Sequence, residues 1–111
     1  MKVGEIASRL GLQVVAGYQG LEREVLAGYA ADLLSAVIAH APPGCLWVTL
    51  QTHENIVAVA LLVDAAGIVV TSGRDPEEAT RRRADAEGIP ILTTKENTFI
   101  VAGELYKLLN F

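Results

Sequence analysis

Three apolar runs, at residues 45–50, 67–70 and 90–92, each break off into a short polar segment: Gln51-Thr52-His53, Thr71-Ser72-Gly73-Arg74 and Thr93-Thr94. Short runs rich in β-branched and aromatic side chains predict buried strands. Between them, apolar positions fall at helical spacing. Thr52 is placed to cap a helix over 53–65. Asp75-Pro76-Glu77-Glu78 predicts the start of a helix over 76–87, with a capping carboxylate, proline at the first helical position and acids favoured by the helix dipole. Gly88 ends it. Asn97 or Thr98 opens a last helix with Phe99, Ala102, Tyr106 and Leu109 at core spacing.

The N-terminal half continues the pattern. Val3, Ile6, Ala7 and Leu10 predict an amphipathic helix over 2–10, with Gly11 suited to the left-handed residue that closes it. Val14-Val15 is a brief strand candidate, Gly17-Tyr18-Gln19-Gly20 a turn, and 25–31 a further strand. Asp32 is a candidate N-cap for a helix through His40, stopped by Pro42-Pro43-Gly44, with Leu33, Leu34, Val37, Ile38 and Ala41 on one side. Repeated strand-then-helix order implies right-handed crossovers. The predicted fold class is α/β: one three-layer-like domain over 1–111, with a mostly parallel sheet flanked by helices. In such a sheet the polar strand ends share one edge, where ligands bind.

Composition narrows the function classes. The chain has 111 residues, 51% of them hydrophobic, and a formal net charge of -4, which argues against a coat for nucleic acid or anionic membrane. Arg81-Arg82-Arg83 shares its predicted helix with Glu77, Glu78, Asp85 and Glu87 and reads as a solvated mixed-charge face. A single cysteine, Cys45, excludes an internal disulfide and fits a reducing compartment. It opens an apolar run and is expected to be buried and inert. The N-terminus lacks a signal-peptide core and the run at 56–63 is too short to span a bilayer, so a cytoplasmic location is expected. The helix at 53–65 is apolar all round; either a second copy covers one face or the helix lies centrally within the monomer.

Thr71-Ser72-Gly73-Arg74 suits an anion, because glycine admits close backbone approach, hydroxyls donate and arginine supplies a charged fork. It matches neither a P-loop nor GxGxxG. Gln51-Thr52-His53 adds amide, hydroxyl and imidazole at a helix start. The candidate ligand-binding set is Gln51, Thr52, His53, Thr71, Ser72, Gly73, Arg74, Thr93 and Thr94, and each of these also has a plain capping or turn role. No catalytic residue, metal site or cofactor is expected: the histidines, His40 and His53, stand far apart, and Ser72 lacks the GxSxG setting of a hydrolase. Residues 5–12 have the spacing of a first DNA-binding helix, yet Val14-Val15 and the glycines after them leave no recognition helix.

The segments VGEIASRLGLQVVAG, GYAADLLSAVIAHAPPG, LWVTLQTHENIVAVALLVDAAGIVVTSG and IPILTTKENTFIVAGELY together resemble the DRTGG domain family, over nearly the whole chain. The family is also similar to the N-terminal domain of HPr kinase/phosphorylase and occurs beside CBS domains in some pyrophosphatases. The resemblance implies an α/β fold, a tendency to dimerise and a regulatory, non-catalytic role. Asp32, Thr71 and Gly73 stand where such proteins have characteristic Asp, Thr and Gly. Ser72 departs from a second glycine, and Ala27 precedes Gly28 where Thr-Gly-Gly or similar is common. The expected function is therefore a stand-alone homodimeric domain sensing a small anionic ligand, such as an adenine nucleotide. The alternative is an interaction or scaffold subunit that binds a partner protein and no small molecule.

Overall fold

Strands β3 (Cys45–Thr49), β4 (Gly67–Val70) and β5 (Ile91–Thr93) alternate their side chains between two apolar clusters. Cys45, Trp47, Ile68, Val70 and Ile91 point to one face; Leu46, Val48, Val69 and Leu92 point to the other. A strand apolar on both sides must be covered on both sides. The computed structural model, which describes residues 1–110, places α2 (Leu34–His40), α3 (Asn55–Leu62) and α4 (Glu78–Glu87) over the first face. Helices α1 (Val3–Leu10) and α5 (Thr98–Leu109) cover the second. The three-layer α/β expectation holds.

The five-stranded sheet runs β1-β5-β4-β3-β2, where β1 is Gln13–Ala16 and β2 is Ala27–Ala30. β2, β3, β4 and β5 are parallel neighbours in chain order, which puts their three crossover helices in one layer. β1 is antiparallel to β5, with Gln13 opposite Thr93 and a bulge between Val14 and Ala16. After β5 the chain crosses to the opposite layer through α5. The connections leaving β4 and β5 therefore diverge to opposite faces, and the switch point of the sheet lies between their C-terminal ends.

Several local expectations are revised. Asp32 does not cap α2, whose N-cap is Leu33; its Oδ1 instead accepts from Thr49 Oγ1 (3.0 Å) and the Leu50 amide (2.7 Å), tying β2 to β3. Thr52 does not cap α3, which starts only at Asn55; its carbonyl accepts from the Glu77 amide (3.1 Å) and Thr80 Oγ1 (2.7 Å). That bond holds Glu77 extended outside α4, so Glu77 is the N-cap and neither Asp75 nor Pro76 takes the predicted position. Asn97 does cap α5, accepting from the Ile100 amide at 3.0 Å. The face of α5 on the sheet is Val101 and Leu105, while Phe99 and Tyr106, expected in the core, are 82% and 69% exposed. α3 is intermediate between its two alternatives: Ile56, Val57, Val59 and Ala60 are buried, and Leu61 and Leu62 remain at the surface.

Gly17 joins β1 to the end of α4. Its φ is +68°, its amide donates to Asp85 Oδ1 (2.7 Å), and a Cβ there would collide with the Ile89 carbonyl and the Pro90 nitrogen. Gly17→Ala should lower stability by about 2–4 kcal/mol, read from the urea midpoint, because left-handed strain and a backbone clash combine. Cys45 is fully buried, and burial pushes its thiol up from the ordinary cysteine range. At mildly alkaline pH it should not react with a thiol reagent in the native protein and should react stoichiometrically once unfolded, followed by absorbance.

Candidate functional site

Two loops meet at the switch point. In the loop after β4, Thr71 is buried, and Ser72 and Gly73 take left-handed φ of +62° and +72°. This double reversal turns the chain back against the loop after β5. The Ser72 amide donates to the Glu96 carbonyl (2.7 Å) and the Gly73 amide to the Thr94 carbonyl (2.9 Å), while the Thr71 and Arg74 amides donate to Thr49 (3.1 Å) and Thr71 (3.3 Å) carbonyls. Thr71 Oγ1 and Thr98 Oγ1, 2.7 Å apart, link the loop to the first turn of α5. All four amides from Thr71 to Arg74 are thus engaged within the fold. They offer no anion nest of the P-loop kind, and recognition here falls to side chains.

Beside the sealed crevice lies an open cleft of about 470 Å³, lined by Gly11, Gln13, Gly73, Arg74, Asp75, Thr93, Thr94 and Lys95. Four predicted site residues, Gly73, Arg74, Thr93 and Thr94, meet here. Among the described residues neither Arg74 nor Lys95 enters an ion pair. Asp75 is the acidic member, and its Oδ1 lies 4.0 Å from an Arg81 nitrogen. The cleft combines two unpaired cations with Thr hydroxyls and an amide, a set that suits a phosphate or carboxylate.

The remaining predicted residues lie outside the cleft. Gln51 donates from Nε2 to the Asp32 carbonyl (2.8 Å), and His53 Nδ1 accepts from the Asn55 amide (3.1 Å). With Thr52 bonded to α4, the end of β3 is occupied by structural contacts. Thr71 and Ser72 build the loop without lining the cleft. Sequence reading missed Lys95, although it directly follows Thr93-Thr94 in the same strand-end segment. It also missed Gln13, which only the antiparallel pairing of β1 brings to Thr93. No group of three or more His, Cys, Asp or Glu able to hold a metal occurs among the described residues. No helix there is long and apolar enough to cross a membrane.

Ser72 occupies backbone space that glycine enters without strain, and its side chain is exposed. Ser72→Gly should raise stability by up to about 1 kcal/mol in chemical denaturation, the relief of left-handed strain being partly offset by glycine's greater unfolded-state entropy.

Comparison with known proteins covers the whole architecture. Over 98% of its length the chain is 28% identical to HPr kinase/phosphorylase from Exiguobacterium sibiricum, and it spans 40% of that protein. Among solved structures it superposes with a TM-score of 0.70, at 18% identity, on the CBS and DRTGG domains of the regulatory region of Clostridium perfringens pyrophosphatase, complexed with the activator diadenosine tetraphosphate. That match covers 92% of this chain and 44% of the other. The family model for the DRTGG domain matches residues 5–108. The chain belongs to the DRTGG domain family.

Proposed function

We propose that this domain is a non-catalytic regulatory module that senses a small anionic ligand, an adenine nucleotide in the first instance, in the cleft between β1, β4 and β5, and that it works as a homodimer. The observation that carries the reading is the placement of Arg74 and Lys95, both without an ion-pair partner among the described residues, on one cleft at the switch point of the sheet. A regulatory region with the same kind of domain is complexed with diadenosine tetraphosphate in the pyrophosphatase, which supports the ligand class. The chain carries no P-loop, so phosphoryl transfer by the larger HPr kinase/phosphorylase is not extended to it.

Side-chain recognition sets the character of the binding. With the loop amides engaged, affinity rests on two exposed cations and falls as salt rises. Regulation then requires that the ligand favour one arrangement of the two stitched loops over another.

A second reading, a scaffold subunit that binds a partner protein, draws on the exposed Leu33, Ile38 and Leu62 of the α2–α3 layer, at 68%, 49% and 68% exposure. It makes Arg74 dispensable.

Thermal unfolding with diadenosine tetraphosphate, ATP, AMP and inorganic phosphate separates the two. A ligand at 100 times its dissociation constant adds about 2.7 kcal/mol, roughly 10 °C for a domain of this size. The expected result is a concentration-dependent rise with at least one nucleotide, lost in Arg74→Ala, whose melting without ligand matches the wild type. Absence of any shift across the panel transfers the assignment to the scaffold.

A further inference from the structure

The two edges of the sheet are finished differently. On β1 a bulge breaks the register and the Tyr18 hydroxyl donates to the Val14 carbonyl (2.9 Å), both of which blunt an edge against pairing. The β2 edge, Ala27-Gly28-Tyr29-Ala30, has no charge, proline or bulge and, among the described residues, pairs only with β3. Beside it α5 presents a second apolar stripe, Phe99, Ala102, Tyr106 and Leu109, in addition to the Val101 and Leu105 face it lays on the sheet. Between strand and stripe runs an apolar groove of about 370 Å³, kept open by the small residues Gly28, Ala30 and Ala102. Gly28 leaves room for Leu105, whose Cδ2 would lie 2.9 Å from a Cβ placed there.

We infer that the β2 edge and the outer stripe of α5 form the surface through which two copies of this domain pair, β2 against β2, into one continuous ten-stranded sheet. The inference rests on the dimeric part of the proposed function and names its surface. Shape and charge select a second copy. An antiparallel pairing about a two-fold axis at Gly28 sets residue 26 of one copy opposite residue 30 of the other, on the α5 side. Leu26 is 73% exposed and Ala30 leaves the gap, so knob meets hole twice over. Charge follows the same symmetry. Around Leu26 an adjoining cleft holds Arg9 and Lys107, both outside any ion pair among the described residues, whereas Asp32 stands just past Ala30 at the opposite end of the strand. At the Leu26 end the acids Glu24, Glu22 and Asp64 are paired internally with the N-terminal amine, Lys2 and Arg23, so the charge left over is basic there and acidic at the Asp32 end, and reversal of the second strand brings the opposite signs together.

Sedimentation velocity across low to high micromolar protein tests this, with circular dichroism melting to confirm folding. The wild type should be a dimer, and both Ala30→Arg and Tyr106→Glu should raise its dissociation constant at least tenfold without lowering the melting temperature of the subunit. Leu62→Glu, on the α3 surface, should leave the dimer intact. Should Ala30→Arg fail to fold, Tyr106→Glu, at an exposed helix position, decides alone. A dimer that withstands the edge substitutions and dissociates with Leu62→Glu overturns the assigned surface and leaves the dimeric reading standing. A wild type that is monomeric throughout overturns both, while nucleotide-dependent melting reports separately on the sensing reading.

Discussion

The central strands have no polar face, and the rest of the molecule answers to that. With Trp47, Ile68 and Ile91 on one side and Leu46, Val69 and Leu92 on the other, all but wholly buried, two layers of helices must be supplied. Three crossover helices of one hand fill the first layer. The second is filled from the two ends of the chain, by α1 ahead of the strands and by α5, which leaves β5 in the opposite direction to the helix before it. The candidate site is a by-product of that geometry: where successive connections part company, a space opens at the ends of the strands.

The chain then closes most of that space. Backbone bonds between the loops after β4 and β5 make the edge stiff and leave recognition to side chains. This distinguishes it from glycine-rich phosphate loops, in which the amides themselves are the ligand groups. Arg74 and Lys95 stand exposed on the cleft beside it.

Sequence made the layers legible because burial of a parallel sheet writes itself as continuous apolar runs; the strands over 45–49, 67–70 and 91–93 and all five helices follow from it. Caps were less legible. Asp32, Thr52 and Asp75 each stood before a helical pattern, but a carboxylate or carbonyl can serve any donor within reach. Tertiary donors, Thr49 and Leu50, took over the Asp32 carboxylate, while Thr52 lies too far ahead of α3, which starts at Asn55, and holds Glu77 and Thr80 through its backbone carbonyl. The stripe Phe99, Ala102, Tyr106 and Leu109 has proper core spacing, yet Phe99 and Tyr106 lie at the surface and Ala102 and Leu109 are half-buried, because α5 is apolar on two sides and periodicity alone does not say which side meets the sheet. Of the candidate site, strand-end position pointed to Arg74, Thr93 and Thr94. Gln13 was hidden, since no local signal announces an antiparallel partner from the other end of the chain.

That partner sets the longest loop the fold has to close. β2 through β5 are neighbours both in sequence and in the sheet, so each can close onto the last through a short crossover. β1 must instead bring Gln13 back to Thr93 across the other four strands and their three crossovers, at a loop-closure cost that grows by about 0.6 kcal/mol with each doubling of length. Its pairing with β5 therefore spans the greatest sequence separation in the sheet and carries the largest closure cost. Because β1 carries Gln13, one wall of the cleft comes from the strand joined to the sheet by its longest-range pairing, so the cleft exists only once the two ends of the chain have met.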